Sequence, residues 1–357
     1  MRAAGLSYLK AEDITLKGNS IKPDFDPDIT EYDFFVQSDI YGVKIYAGAE
    51  KGAVFVDGEK CVNDQGVLIK LSEDYKDYGV DYSKTVEVKA VFDNGQRVYK
   101  INIIRENAKR IYDLFTEKLF EDTENGVKMP YQIYLPKNYD GIKKYPLVFV
   151  LHGAGQRLQS PDMVLKRYES ATVWAKDSEK GINECIVVSP QCAEANGMGW
   201  TYFTFILDGV GPANPYELTK WGRSAYKLLQ KIKNEYSVDL SRIYLTGVSM
   251  GGFGTFELAI EHPDEFAAIA PICGGADPER AEALKSTHIW LFHAADDPVV
   301  DYKKWAVPTI NALDKAQMKY NKTIYKAGDV FYPNGHFSWT AAYADEKMRN
   351  WLFSNTK

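Results

Sequence analysis

Gly247-Val248-Ser249-Met250-Gly251 is the stretch that decides the reading of this chain. The apolar run Ile243-Tyr244-Leu245 leads into it, and Gly252, Phe253, Phe256, Leu258, Ala259 and Ile260 follow. That order predicts a strand, a sharp turn and a helix. Such a turn lifts a serine hydroxyl out of the backbone at the end of a sheet, directly in front of a helix N-terminus. Side chains two residues either side of the serine would collide in so tight a turn, which accounts for the flanking glycines.

Working outward, the sequence from about residue 109 continues in the same grammar. Pro146 to Leu151, Cys185 to Val188, Ile243 to Leu245, Phe266 to Ala270 and Ile289 to Phe292 are continuous apolar runs. Buried parallel strands look like this because both faces of the sheet are covered. Helical stripes alternate with them: Tyr226, Leu228, Leu229, Ile232 and Tyr236; Phe256, Ala259 and Ile260; Met348, Trp351 and Leu352. The pattern predicts a doubly wound, mostly parallel α/β sheet. Residues 1–108 are written differently. Tyr32 to Val36, Val43 to Ala47, Val54 to Val56, Val67 to Ile69, Val86 to Val91 and Val98 to Ile103 are short and rich in β-branched and aromatic residues. Turn signals such as Asp57-Gly58 and Asn94-Gly95 separate them, and Asn94-Gly95 predicts a hairpin. The expected organisation is a small all-β sandwich over 1–108 and an α/β domain over 109–357, joined at Asn107 to Arg110.

Composition narrows the function. The chain has 357 residues, net charge −6 and 45% hydrophobic residues, which supports a large core and gives no electrostatic case for nucleic acid. The longest apolar run, Pro146 to Leu151, is far too short to span a bilayer. Met1-Arg2-Ala3-Ala4-Gly5 lacks the apolar core of a secretory signal, which fits a cytoplasmic protein or a mature chain whose signal has been removed. Cys61, Cys185, Cys192 and Cys273 contain no Cys-x-x-Cys pair, and no histidines stand at zinc-ligand spacing. The expectation is buried free thiols, no metal and no cofactor.

A serine hydroxyl becomes a nucleophile only when a base takes its proton, and the base needs a carboxylate to hold its tautomer. In a sheet of this type the chain order is serine, acid, histidine. His152 precedes Ser249, His262 lies on the helix behind it, and His288 and His293 bracket a strand with no strand-end acid before them. His336, in Pro333-Asn334-Gly335-His336-Phe337, remains as the base. The acid belongs in the loop after Ile289 to Phe292, where Asp296, Asp297 and Asp301 compete and spacing does not choose among them. Met250 follows the nucleophile at a helix N-terminus, so its N–H is one expected oxyanion donor.

Taken together, Tyr145 to Gly155, Asp239 to Tyr244, Gly247 to Gly252, His293 to Val300 and Gly335-His336 resemble the α/β-hydrolase esterases. Within these they look like the polyhydroxybutyrate-depolymerase, feruloyl-esterase and phospholipase/carboxylesterase branch. Some thermophile-type esterases there share an immunoglobulin-like N-terminal domain. The resemblance implies a serine carboxylesterase acting on short-chain acyl, feruloyl or carbohydrate-linked esters, small or polymeric. It implies Asp297, the aspartate before Pro-x-Val, as the acid, Asp296 as a solvated neighbour and Ala154 as the second oxyanion donor. Ala294 departs from the glycine usual after the histidine. A peptidase or amidase on the same triad, or a non-catalytic surface or glycan-binding protein, are the alternatives.

The first half resembles the cadherin-like, immunoglobulin-like β-sandwich modules of bacterial surface and secreted proteins. Leu6 to Leu9, Ile21 to Tyr32 and Tyr99 to Ile103 carry this likeness. It implies an extracellular or cell-surface setting and a homo-oligomer formed through this half. Asp24, Asp26 and Asp28 read as turn formers, not calcium ligands. Trp200, Tyr202, Phe203 and Phe205, with Phe331, Tyr332, Phe337 and Trp339, are candidates for a substrate platform, and Trp200 is the one taken as a direct contact.

Overall fold

The computed structural model describes residues 5–16, 21–62, 65–71, 82–106, 109–194, 198–203, 206, 208–209 and 214–357. Phe205, Asn107 and part of the Asp208 to Pro215 stretch lie outside these residues. The chain divides into two compact units. One comprises Met1–Ala108 with Phe331–Pro333, the other Lys109–Val330 with Asn334–Lys357.

The first unit contains β1 (Tyr8–Glu12), β2 (Glu31–Val36), β3 (Gly42–Gly48), β4 (Ala53–Val56), β5 (Glu59–Lys60), β6 (Val67–Lys70), β7 (Tyr82–Phe92) and β8 (Gly95–Arg105). They form two sheets, ordered β1-β3-β6 and β2-β8-β7-β4-β5. Alternate side chains are buried along these strands, among them Tyr32, Phe34 and Val36 on β2 and Tyr99, Ile101 and Ile103 on β8. This is the period of a strand with one covered face. β7 and β8 pair antiparallel from Tyr82↔Arg105 to Phe92↔Gly95, so the loop is Asp93-Asn94. The glycine of the expected Asn-Gly turn therefore falls one residue later, where Gly95 takes φ 151°. In the aspartate-rich segment, Asp26 accepts from the N–H of Asp28 at 2.9 Å, as a turn former does.

The second unit is built on an eight-stranded sheet. Its strands are β9 (Thr116–Asp122), β10 (Val127–Tyr134), β11 (Tyr145–Leu151), β12 (Ile186–Pro190), β13 (Val238–Val248), β14 (Ala268–Ile272), β15 (His288–Ala294) and β16 (Asn321–Tyr325). The order is β16-β15-β14-β13-β11-β12-β10-β9. The six strands from β16 to β12 run parallel, and β10 pairs antiparallel with both β12 and β9. β11, β12 and β14 are buried at every position, as continuous apolar runs demand. β9 escapes a sequence reading because it is an edge strand whose residues are mostly exposed and polar. The helix Lys220–Glu235 buries Trp221, Ala225, Leu228, Leu229 and Ile232, and its last turn ends at Tyr236 instead of containing it. From β11 the chain steps to β12 on one side, then returns to β13 on the other. The crevice beyond the carboxyl ends of β11 and β13 is therefore a topological switch point, where sheets of this kind place their chemistry.

Candidate active site

Ser249 stands at that point, between β13 and the helix Met250–Glu261. Its backbone takes φ 56° and ψ −117°, a conformation costly for any side-chain-bearing residue. The neighbours make the glycines compulsory. A Cβ on Gly251 would sit 2.0 Å from the carbonyl oxygen of Leu151, and one on Gly247 would sit 2.5 Å from that of Gly251. Ser249 N–H donates to Ile272 O at 2.9 Å, tying the turn to β14. A serine preceding a helix usually turns its hydroxyl onto the first N–H groups. Here it makes no such bond, and Oγ is left for another partner.

That partner is His336. Its Nε2 lies 3.1 Å from Ser249 Oγ, and its Nδ1 lies 2.8 Å from Asp297 Oδ2. The histidine occupies a short 3-10 turn, Gly335–Phe337, where Asn334 Oδ1 accepts from His336 N at 3.0 Å. The edge of Trp339 meets its ring at a centroid distance of 5.1 Å. Asp297 follows β15. Its Oδ1 accepts from the N–H groups of Val299 and Val300, both at 2.8 Å, which leaves Oδ2 to face the imidazole. The other aspartates are committed elsewhere. Asp301 caps the helix Tyr302–Lys315 through Lys304 N, and Asp296 Oδ2 accepts from Gly328 N at 2.8 Å. Asp296 is exposed, as expected of a solvated neighbour, and also ties the loop to Gly328. All three meeting side chains are buried, at 5%, 4% and 8% exposure for Ser249, Asp297 and His336.

Around them the loop after β11 is fixed by His152. The ring is fully buried, and burial pulls its pKa down to about 4. Nδ1–H donates to Gly153 O at 2.7 Å, while Nε2 accepts from Cys192 N at 2.9 Å. Gly153 abuts Ser249: a Cβ there would sit 3.8 Å from Ser249 Cβ. Ala154 opens the next turn, and Met250 opens the helix after the serine.

Trp200 requires a correction. It is 0% exposed, its indole donates to His152 O at 2.9 Å, and its ring lies edge-on to His152. It is an anchor beneath the loop, with no surface left for substrate. Phe203 is likewise buried, stacked 3.8 Å from Phe253, and Trp339 is buried against Tyr168. Phe331 and Tyr332 belong to the first unit. A groove of about 510 Å³ lined by His288, Asp314, Tyr320 and Trp351 lies at the amino ends of β15 and β16, the wrong end of the sheet for the serine.

Two neighbours of Asp297 were not legible as such in the sequence. His293 Nε2 donates to Val300 O at 2.8 Å and stands 3.6 Å from Asp297 Oδ2, closing the acid loop. Burial lowers its pKa. Cys273, at the end of β14 with φ 42°, packs beside Asp297 and His336. Only its position after a buried strand hinted at this.

A parallel sheet with helices, an antiparallel edge and a strand–turn–helix serine at its switch point defines an α/β hydrolase. More particularly, the chain belongs to the Esterase family, whose model matches residues 123–329. The crystal structure of a thermostable esterase is 30% identical, with TM-score 0.65 over 84% of this chain and 79% of that one. A bifunctional acetylxylan esterase/xylanase of Neocallimastix patriciarum is 28% identical over 183 residues, 51% of this chain and 23% of that protein. Poly(3-hydroxyalkanoate) depolymerase C of Paucimonas lemoignei is 32% identical over 133 residues, 36% of this chain and 28% of that protein. The chain therefore spans about a quarter of the length of these two relatives. No helix among the described residues is long and apolar enough to cross a membrane.

Proposed function

We propose that this protein is a serine carboxylesterase working through an acyl-enzyme. Ser249 attacks the ester carbonyl while His336 Nε2 takes its proton, and the resulting imidazolium is held by Asp297. His336 then returns the proton to the departing alcohol. Water, deprotonated by the same ring, releases the acid. The N–H groups of Met250 and Ala154 receive the oxyanion, a contribution typically of about 10²–10³ in turnover for each donor. The observation that carries this reading is the continuous path Ser249 Oγ–His336–Asp297, with contacts of 3.1 and 2.8 Å. The approach of Gly153 to Ser249 supports the oxyanion donors. Short-chain acyl esters and acyl or feruloyl esters of carbohydrates or polymers are the substrates of this reading, supported by relatives named for acetylxylan and polyhydroxyalkanoate.

The first unit, in the same reading, is an immunoglobulin-like sandwich of an extracellular or cell-surface protein, through which copies of the chain associate. Its two sheets with alternating burial support the first part, and sedimentation of the full chain tests the last.

The decisive assay compares p-nitrophenyl acetate with a p-nitroanilide, alongside labelling by a fluorophosphonate probe. Ester turnover and labelling that both vanish in Ser249→Ala are expected. Faster amide turnover would make it an amidase, and equal labelling of both proteins would defeat the assignment of Ser249.

A further inference from the structure

The acid and base of the site share their space with a thiol the proposed reaction does not use. Among the described residues, Cys273, Asp297 and His336 form a group in which one donor atom from each lies within 4.8 Å of the others. Cys273 is fully buried. Beside its sulfur stands the Ser338 hydroxyl, also fully buried and within hydrogen-bonding reach of the thiol. Sulfur, imidazole nitrogen, carboxylate oxygen and hydroxyl oxygen thus converge from β14, the acid loop and the histidine turn. We propose that these four residues form an inhibitory site for a thiophilic divalent cation, with Zn²⁺ as its type. The effect on turnover rests on the esterase reading; the binding does not.

The chemistry fits in donor type and charge, and the spacing needs a small adjustment. Thiolate and imidazole select zinc and its soft neighbours over magnesium or calcium. Thiolate and carboxylate together carry two negative charges, so a bound dication leaves a neutral cluster, the form that tolerates burial. With metal–ligand bonds of about 2.0–2.3 Å, tetrahedral donors stand roughly 3.3–3.7 Å apart. His336 Nδ1 and Asp297 Oδ2, now 2.8 Å apart, would have to part by roughly half an ångström. On binding, the Cys273 thiol gives its proton to solvent. His336 coordinates through Nδ1, and the proton that sat there moves to Nε2. An imidazole with Nε2–H facing Ser249 Oγ cannot accept the serine proton. The cation therefore silences the base by fixing the wrong tautomer, leaving the serine itself untouched.

The test uses the full chain, pre-incubated with ZnCl₂ or MgCl₂ in chelator-free buffer and assayed on p-nitrophenyl acetate. Zinc should inhibit, EDTA should restore the rate, and magnesium should do nothing. In Cys273→Ala, normalised to its own uninhibited rate, the half-inhibitory zinc concentration should rise by about 100-fold or more, because even outer-shell changes cost about 10–100-fold in metal affinity. A second arm needs no activity. Ser249→Ala dialysed against Zn²⁺ should retain one equivalent, and dialysed against Co²⁺ should show a thiolate-to-cobalt absorption band. Ser249→Ala/Cys273→Ala should show neither. Equal zinc sensitivity of wild type and Cys273→Ala, or cobalt binding without the thiolate band, would overturn the site. If the wild type hydrolyses no ester, the dialysis arm still decides.

Discussion

Replacing Asp297 by asparagine changes the electrostatics of the site with almost no change of shape. The orientation of the new amide is dictated by the surroundings. Oδ1 of Asp297 accepts two backbone N–H groups, from Val299 and Val300 at 2.8 Å each. Only the amide oxygen can take that place, because an NH₂ there would face two donors. The NH₂ is thereby forced into the position of Oδ2, where it meets His336 Nδ1 at 2.8 Å. A donor at that point requires Nδ1 to accept, so the ring proton moves to Nε2. Nε2 then presents a proton to Ser249 Oγ across 3.1 Å and cannot serve as base. Tautomer inversion of this kind costs about 10⁴ in turnover, equivalent to about 5 kcal/mol. The expected result is that kcat on p-nitrophenyl acetate falls by about 10³–10⁴ while KM and the thermal midpoint barely move. Asp296→Asn is the control. Its oxygen can still accept from Gly328 N, so activity should stay within about threefold of wild type by the usual scale of surface changes. A loss below about tenfold in a folded Asp297→Asn protein, or an equal loss in both variants, would refute the assignment of the acid.

Two further outcomes follow from the packing. Gly251→Ala would place its Cβ 2.0 Å from Leu151 O, and neither backbone can retreat without breaking the sheet; a loss of about 3 kcal/mol or more is expected from denaturant titration, and an unchanged midpoint would show that the turn is more pliable than described. Glu257, buried on the helix that follows Ser249 and bonded to Arg280, has its carboxyl pushed up to about 8, chiefly by burial. The folded state therefore keeps a proton that the unfolded chain has released. The stability this contributes is complete below the ordinary carboxyl pKa and is lost as pH rises through about 8. Glu257→Gln removes that loss, so its thermal midpoint should gain on wild type between pH 5 and about pH 8 and level off above it, and parallel curves would refute the argument.

The sequence by itself determined the strand–turn–helix serine and the buried parallel strands, and it singled out His336 as the candidate base. These rest on local sterics and periodicity, or on the order of residues along the chain: glycines where a Cβ cannot fit, unbroken apolar runs where both faces are covered, and a single histidine after the acid cluster. What it could not decide were the matters settled by atoms brought together from distant segments. Asp297 and His336 are 39 residues apart, and Ser249 and His336 are 87 apart. Spacing left Asp296, Asp297 and Asp301 open and only the family resemblance pointed to Asp297; the physical reason lies in the fold, where two N–H groups orient Asp297, a helix takes Asp301 and Gly328 takes Asp296. The burial of Trp200 under His152, and the arrival of Cys273 and Ser338 behind the acid, are likewise products of strand order. An aromatic residue near a catalytic loop looks the same in sequence whether it lines a cleft or props it from beneath. Only the direction of the side chain in the folded sheet separates the two.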